Sequence, residues 1–134
     1  MEIRRQWQTG LFILAFSLML ITCNIWNNGP GGEDLAKIDR VEVVTAGGNP
    51  PGYSAVASGL LPDRCTQLGR ASQRVVVTTI RITLPTQPAA GACSQIGSAP
   101  FEETIPLRLT GLAAGSYAVE VNGVTASFFL TEDH

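Results

Sequence analysis

The sequence predicts an all-β domain, an antiparallel sandwich of 6–7 short strands, preceded by an N-terminal hydrophobic helix that serves as signal or anchor. Three observations carry this. Asn122-Gly123 joins two runs of alternating residues, the strongest short-range signal for a β-hairpin, because a type I′ turn needs φ > 0 at both central positions. Several other stretches are rich in Val, Thr and Ile and are separated by turn residues; the chain holds 14 Gly and 8 Pro. A continuous apolar run of residues 11–22 follows Arg4 and Arg5 and is unlike anything downstream.

The chain divides into three parts: residues 1–22, a signal peptide or membrane anchor; residues 23–37, a flexible tether; and residues 38–134, the sandwich domain. Its 134 residues are enough for one domain. With a formal net charge of −2 and no basic patch, it lacks the electrostatic footprint of a nucleic-acid binder.

At the N-terminus, the short apolar run LFILAFSLMLIT has the length of a signal-peptide core rather than of a membrane span. The following Leu20-Ile21-Thr22-Cys23 resembles a bacterial lipobox, with Thr22 where that motif usually carries Gly, Ala or Ser. The resemblance implies lipid attachment at Cys23. An uncleaved anchor is a second reading, since Trp7 and Trp26 would lie about 28 Å apart along a helix, at two membrane interfaces. Cleavage and release is a third. In each, Arg4 and Arg5 hold the N-terminus inside, so the domain lies on the extracytoplasmic face of the cell membrane. The tether, with its Asn-Asn-Gly-Pro-Gly-Gly core, spans on the order of 20 Å as a flexible chain.

Within the domain, residues 38–46 (IDRVEVVTA) read as the first strand and residues 53–59 (YSAVASG) as a short second one, joined by a Gly-Gly-Asn-Pro-Pro-Gly loop. Residues 60–72 lack a period and read as an irregular loop holding Cys65. Residues 74–84 (RVVVTTIRITL) read as a single central strand with Val76, Ile80, Ile82 and Leu84 on one face and Val75, Val77, Thr79, Arg81 and Thr83 on the other. Residues 85–100 are a second irregular stretch, holding Cys93. Residues 101–110 (FEETIPLRLT) read as an edge strand, because Pro106 has no amide to donate. In the closing hairpin, residues 111–130, the two-residue turn sets Val121 opposite Val124, Val119 opposite Ala126 and Tyr117 opposite Phe128. One face then carries Tyr117, Val119, Val121, Val124, Ala126, Phe128 and Leu130. The other is small or polar except for Phe129, which makes Phe129 the candidate surface-binding residue. With Ala118 beside it, and Val75 and Val77 on the same outer surface, a patch for a partner would form.

The stretch Leu112-Ala113-Ala114-Gly115-Ser116-Tyr117 resembles the L-x-x-G-x-Y segment before the penultimate strand of immunoglobulin-like and fibronectin-like domains. The wider pattern G-L-x-x-G-x-Y-x-V-x-V-N-G is similar to the closing hairpin of bacterial exported Ig-like modules. The resemblance implies an Ig-like sandwich with the Tyr117 hydroxyl bonded back to the chain at its corner; it implies no particular function.

Of the three cysteines, Cys65 and Cys93 are expected to pair once exported into an oxidising space. Their disulfide would clamp the two irregular connections, worth about 3–4 kcal/mol in the chain-entropy model. No metal site, cofactor or catalytic arrangement is expected. The single histidine, His134, is the last residue and reads as mobile, and Glu102-Glu103 on a strand would point to opposite faces. The expectation is therefore a membrane-tethered binding or structural module without catalysis, whose partner is an unidentified protein or envelope component. The alternative is protease inhibition. Asn49-Pro50-Pro51-Gly52-Tyr53 resembles the N-P-T-T-G-Y loop of chagasin-type inhibitors, one residue shorter and without the threonines, and Pro100-Phe101 is similar to that family's R-P-W loop without its arginine. This alternative requires the 49–53 and 100–101 loops to be neighbours at one end of the sandwich.

Overall fold

The computed structural model describes residues 34–134; the expected N-terminal helix, Cys23 and most of the tether lie outside the described residues. Strands run in the order β1 (Lys37–Ala46), β2 (Gly52–Leu61), β3 (Gln67–Leu68), β4 (Ser72–Val76), β5 (Thr79–Thr83), β6 (Thr86–Gln87), β7 (Ala99–Pro106), β8 (Gly115–Val121) and β9 (Val124–Leu130). They form a three-stranded sheet β1-β2-β7, a four-stranded sheet β4-β5-β8-β9 and a small β3-β6 pair.

The two large sheets bury their inner faces against each other. Val41, Tyr53, Ala55, Ala57 and Ile105 from the first meet Ile80, Ile82, Val119, Val121 and Leu130 from the second in one core. Small residues on β2 let the layers approach. A hydrophobic core between two alternating faces is the driving term for such a sandwich. β2 is fully paired on both sides, from Ala46↔Gly52 to Lys37↔Leu60 with β1 and from Ser54↔Pro106 to Leu61↔Ala99 with β7. It extends beyond the short stretch its sequence suggests, because its partners impose strand geometry on Leu60 and Leu61. β7 lies at a sheet edge, as Pro106 requires. Asp39 is bulged where β1 crosses Gly59, and a Cβ on Gly59 would overlap the Lys37 carbonyl oxygen.

Residues 74–84 are not one strand. The chain reverses at Val77 and Thr78, and β4 pairs back on β5 from Ser72↔Thr83 to Val76↔Thr79. Val77 has φ = +57°, a region that β-branched residues avoid, and it is 88% exposed. The reversal also changes which side chains share a face. Val75 lies opposite the fully buried Ile80, on the inner side of the sheet, whereas Val76 lies opposite Thr79 on the outer side.

The pairing is not wholly antiparallel either. β5 and β8 are parallel, from Thr79↔Ala118 to Ile82↔Val121. The physical reason is the route between them. After β5 the chain makes a single pass down the opposite sheet as β7, so it re-enters the second sheet in its original direction, the crossover that a parallel pair requires. As a result the β4–β5 turn lies at the Gly52 end of the domain and the β8–β9 turn at the Lys37 end. The expected irregular connections contain the β3-β6 pair, Gln67↔Gln87 and Leu68↔Thr86, which lies at the Lys37 end.

Candidate functional site

The β8–β9 hairpin has the register that Asn-Gly dictates: Val121↔Val124, Val119↔Ala126 and Tyr117↔Phe128. Asn122 and Gly123 both have positive φ, +47° and +93°. The turn does more than reverse the chain. The Asn122 side chain accepts a hydrogen bond from Leu84 N at 2.9 Å on Oδ1, and its Nδ2 donates to the carbonyls of Leu84 and Ala36 at 2.8 Å each. One primary amide thus occupies the place of a strand residue between the end of β5 and the incoming chain. Residues 34–36 are tied further by Ala36 N to Leu84 O (2.9 Å) and Thr86 N to Asp34 O (2.6 Å). Asn can do this because it offers both an acceptor and two donors.

The same end carries the disulfide. Cys65 and Cys93 are bonded, with Cα atoms 5.8 Å apart, so the β2–β3 and β6–β7 connections are clamped together. Asp63 shapes the first of them: its Oδ1 accepts from Cys65 N (2.9 Å), Thr66 N (2.7 Å) and Thr66 Oγ1 (2.9 Å). The Thr66 hydroxyl, then its amide, hold the Asp63 carboxyl below its ordinary value of 3.8. Asp63, Cys65 and Cys93 stand close enough to suggest metal ligands. Both sulfurs are in the disulfide, so this trio offers no thiolate to an ion.

At the Gly52 end, the Tyr117 hydroxyl donates to Ala113 O at 2.7 Å, the bond of a tyrosine corner. Tyr117, Phe128 and Tyr53 form a chain of rings with centroids 6.0 and 5.5 Å apart. His134 is held rather than mobile. Its amide donates to Leu112 O (3.0 Å), its carbonyl accepts from Gly111 N (2.7 Å), and its ring meets Tyr53 edge-on at 6.3 Å. Its Nε2 is enclosed without a hydrogen-bond partner among the described residues. A shallow groove of about 580 Å³ opens here, lined by Gln73, Arg74, Leu107, Arg108 and His134 among others. Gln73 crosses between the two sheets at this edge. Its amide donates to Pro106 O (2.7 Å) and accepts from Arg108 N (3.2 Å), copying a strand pairing with a side chain.

Phe129 is 61% exposed, on the outer face of β9. Ala118 shares that face, but Val75 does not: the β4–β5 reversal puts it on the opposite face, beside Ile80, where it is 45% exposed. Val77 sits on the turn itself. The expected patch of Phe129, Ala118, Val75 and Val77 is therefore not formed. Phe129 stands at one edge of a face whose other members include Thr125, Ser127, Val76 and the Arg81–Glu120 pair at 3.9 Å. The two loops that inhibition would require are also apart. Gly52 begins β2 beside Ala46, while Phe101 pairs with Gly59 at the other end of β2, roughly 20 Å away at the usual rise per residue. Sequence reasoning missed the Asn122 side-chain bonds and the Gln73 bridge, since both join positions tens of residues apart; the one signal present was an Asn at a turn that Asp-Gly or Gly-Gly could also have made.

The architecture defines a class: a disulfide-clamped, two-sheet β-sandwich whose described residues present, among other exposed features, an edge aromatic and shallow grooves. Residues 55–130 match the ORF11 beta-sandwich domain family. That is more than half of the chain, and the chain belongs to this family. No curated protein and no solved structure matches it.

Proposed function

We propose that the protein is a membrane-tethered, extracytoplasmic binding or structural module that performs no catalysis. The observation that carries the reading is the Cys65–Cys93 disulfide, because such bonds persist in oxidising spaces and are rare in the cytosol. It agrees with the charged and apolar N-terminal segment, which would export the domain, and with Cys23, which would take a lipid. An Ig-like origin for the sandwich is supported by the Tyr117–Ala113 bond and the closing hairpin, with the parallel β5–β8 pair as its departure from an antiparallel plan. The partner is an unidentified protein or envelope component. Mass spectrometry of the mature chain from membranes tests the anchoring. A lipid-modified Cys23 supports the lipoprotein form and an intact Met1 the uncleaved anchor. Recovery from the cytosol with free thiols at Cys65 and Cys93 would overturn export in any form.

A further inference from the structure

The two large sheets leave four edge strands, and three are visibly guarded. β1 carries Lys37, Asp39, Arg40 and Glu42, with an Arg40–Glu42 ion pair and a bulge. β7 carries Pro100, Pro106, Glu102 and Glu103, of which Glu103 shares the inner face with Ala57. β4 is five residues long, carries Arg74 and is bridged to β7 by Gln73. Charges, prolines, bulges and brevity are the usual devices that stop edge strands from pairing with other chains. β9, VTASFFL, has no charge, proline or bulge, and β1 of the other sheet lies against it without pairing to it. It is seven uncharged residues rich in strand formers.

Its free hydrogen-bonding groups can be assigned. Ala118 N donates to Thr78 O and Asn122 N to Ile82 O, so these β8 residues point at β5. The alternate residues Tyr117, Val119 and Val121 therefore point at β9, where they pair with Phe128, Ala126 and Val124. The N–H and C=O groups of Thr125, Ser127 and Phe129 consequently face away from β8. Among the described residues no strand pairs with them.

We infer that the β9 edge pairs with β9 of a second copy of this chain, antiparallel and centred on Ser127, joining two four-stranded sheets into one. The occupant is a second copy because the strand is complementary to itself. Pairing about Ser127 sets Thr125 of each chain opposite Phe129 of the other, an aromatic against a β-branched side chain, and brings no charges together. Self-pairing of β4 or β7 would set Arg74 against Arg74 or Glu102 against Glu103, and the bulge at Asp39 interrupts the ladder that β1 could offer. The exposure of Phe129 on this strand is thereby accounted for. The inference stands independently of how the N-terminus is anchored.

The test uses the full chain in detergent, followed by sedimentation over a range of concentrations. The wild type is expected to form dimers. Phe129→Lys, at an exposed position, and Ser127→Pro, which removes an outward-facing amide while sparing the β8 ladder, should each weaken dimerisation at least tenfold with the thermal melt of the Lys variant unchanged. With Cys23 replaced by Ser, mild oxidation should cross-link two chains through Ser127→Cys and should not through Glu42→Cys on β1. A wild type that stays monomeric at the highest concentration overturns the inference. So does a dimer that Phe129→Lys leaves intact, which would place the contact in residues 1–33 or on another face, and so does equal cross-linking from both cysteine positions.

Discussion

The β4–β5 and β8–β9 hairpins belong to the same sheet, have turns of the same length and do opposite things with them. At Asn122-Gly123 both residues suit positive φ, and the Asn side chain serves the fold, holding Leu84 and Ala36 together. At Val77-Thr78 neither residue suits a tight turn. Val77 is held at φ = +57° with its side chain in solvent. The first turn supports its surroundings, and the second is supported by them, through Ala118 N on Thr78 O and the full β5–β8 ladder. A turn can therefore be imposed by long-range pairing where local preference opposes it, at a cost in stability that tertiary contacts offset.

Substitutions at the two turns sharpen this contrast. Asn122→Asp keeps the turn geometry but replaces the donor that faces two carbonyls with a carboxylate oxygen. Urea unfolding should show a loss of about 3 kcal/mol, since the Ala36 carbonyl loses its donor and a carboxylate oxygen is set against both carbonyls; a loss below about 1 kcal/mol would mean that water replaces the amide. Val77→Asn should act in the reverse direction, stabilising by about 1 kcal/mol as the left-handed conformation becomes acceptable. No gain there would show that the strain is relieved elsewhere. Tyr117→Phe removes only the Ala113 bond at the start of β8, and a loss of about 1 kcal/mol is expected in the same measurement. The smallest effect concerns a third turn, held by the Asp63 side chain. Its carboxyl is held below 3.8 in the folded chain by Thr66, so its contribution is complete above that value and disappears as pH falls through the lowered one. The urea midpoint of the wild type should fall more steeply with acid than that of Asp63→Asn, and parallel curves would remove Asp63 from the account.

What is legible in the chain follows the range of the interactions. The β8–β9 hairpin can be read down to its register because Asn-Gly acts over four residues. The disulfide can be read from the count of cysteines and the compartment that the N-terminus implies. The β4–β5 reversal cannot, because the alternation in RVVVTTIRITL runs through the turn with no Gly, Pro, Asn or Asp to interrupt it. That single omission puts Val75 on the wrong face and builds a patch that does not exist. The parallel β5–β8 pair and the Gln73 and Asn122 bonds depend on where distant segments return, which no local pattern encodes. Phe129 is legible as the one large apolar residue on a polar face. Its position on an unguarded edge is not, because edges are properties of the assembled sheet.

The tie between residues 34–36 and the strand end at Leu84 and Thr86 has a mechanical consequence. Any pull on the chain ahead of Asp34 enters the domain through Ala36 N on Leu84 O, Thr86 N on Asp34 O and the Asn122 amide. Behind these bonds lies β1, whose ladder with β2 runs along its whole length. A load directed along the strand must shear that ladder as a unit rather than open it bond by bond. The splice at residues 34–36 is then the fuse: it yields first and spares the sandwich.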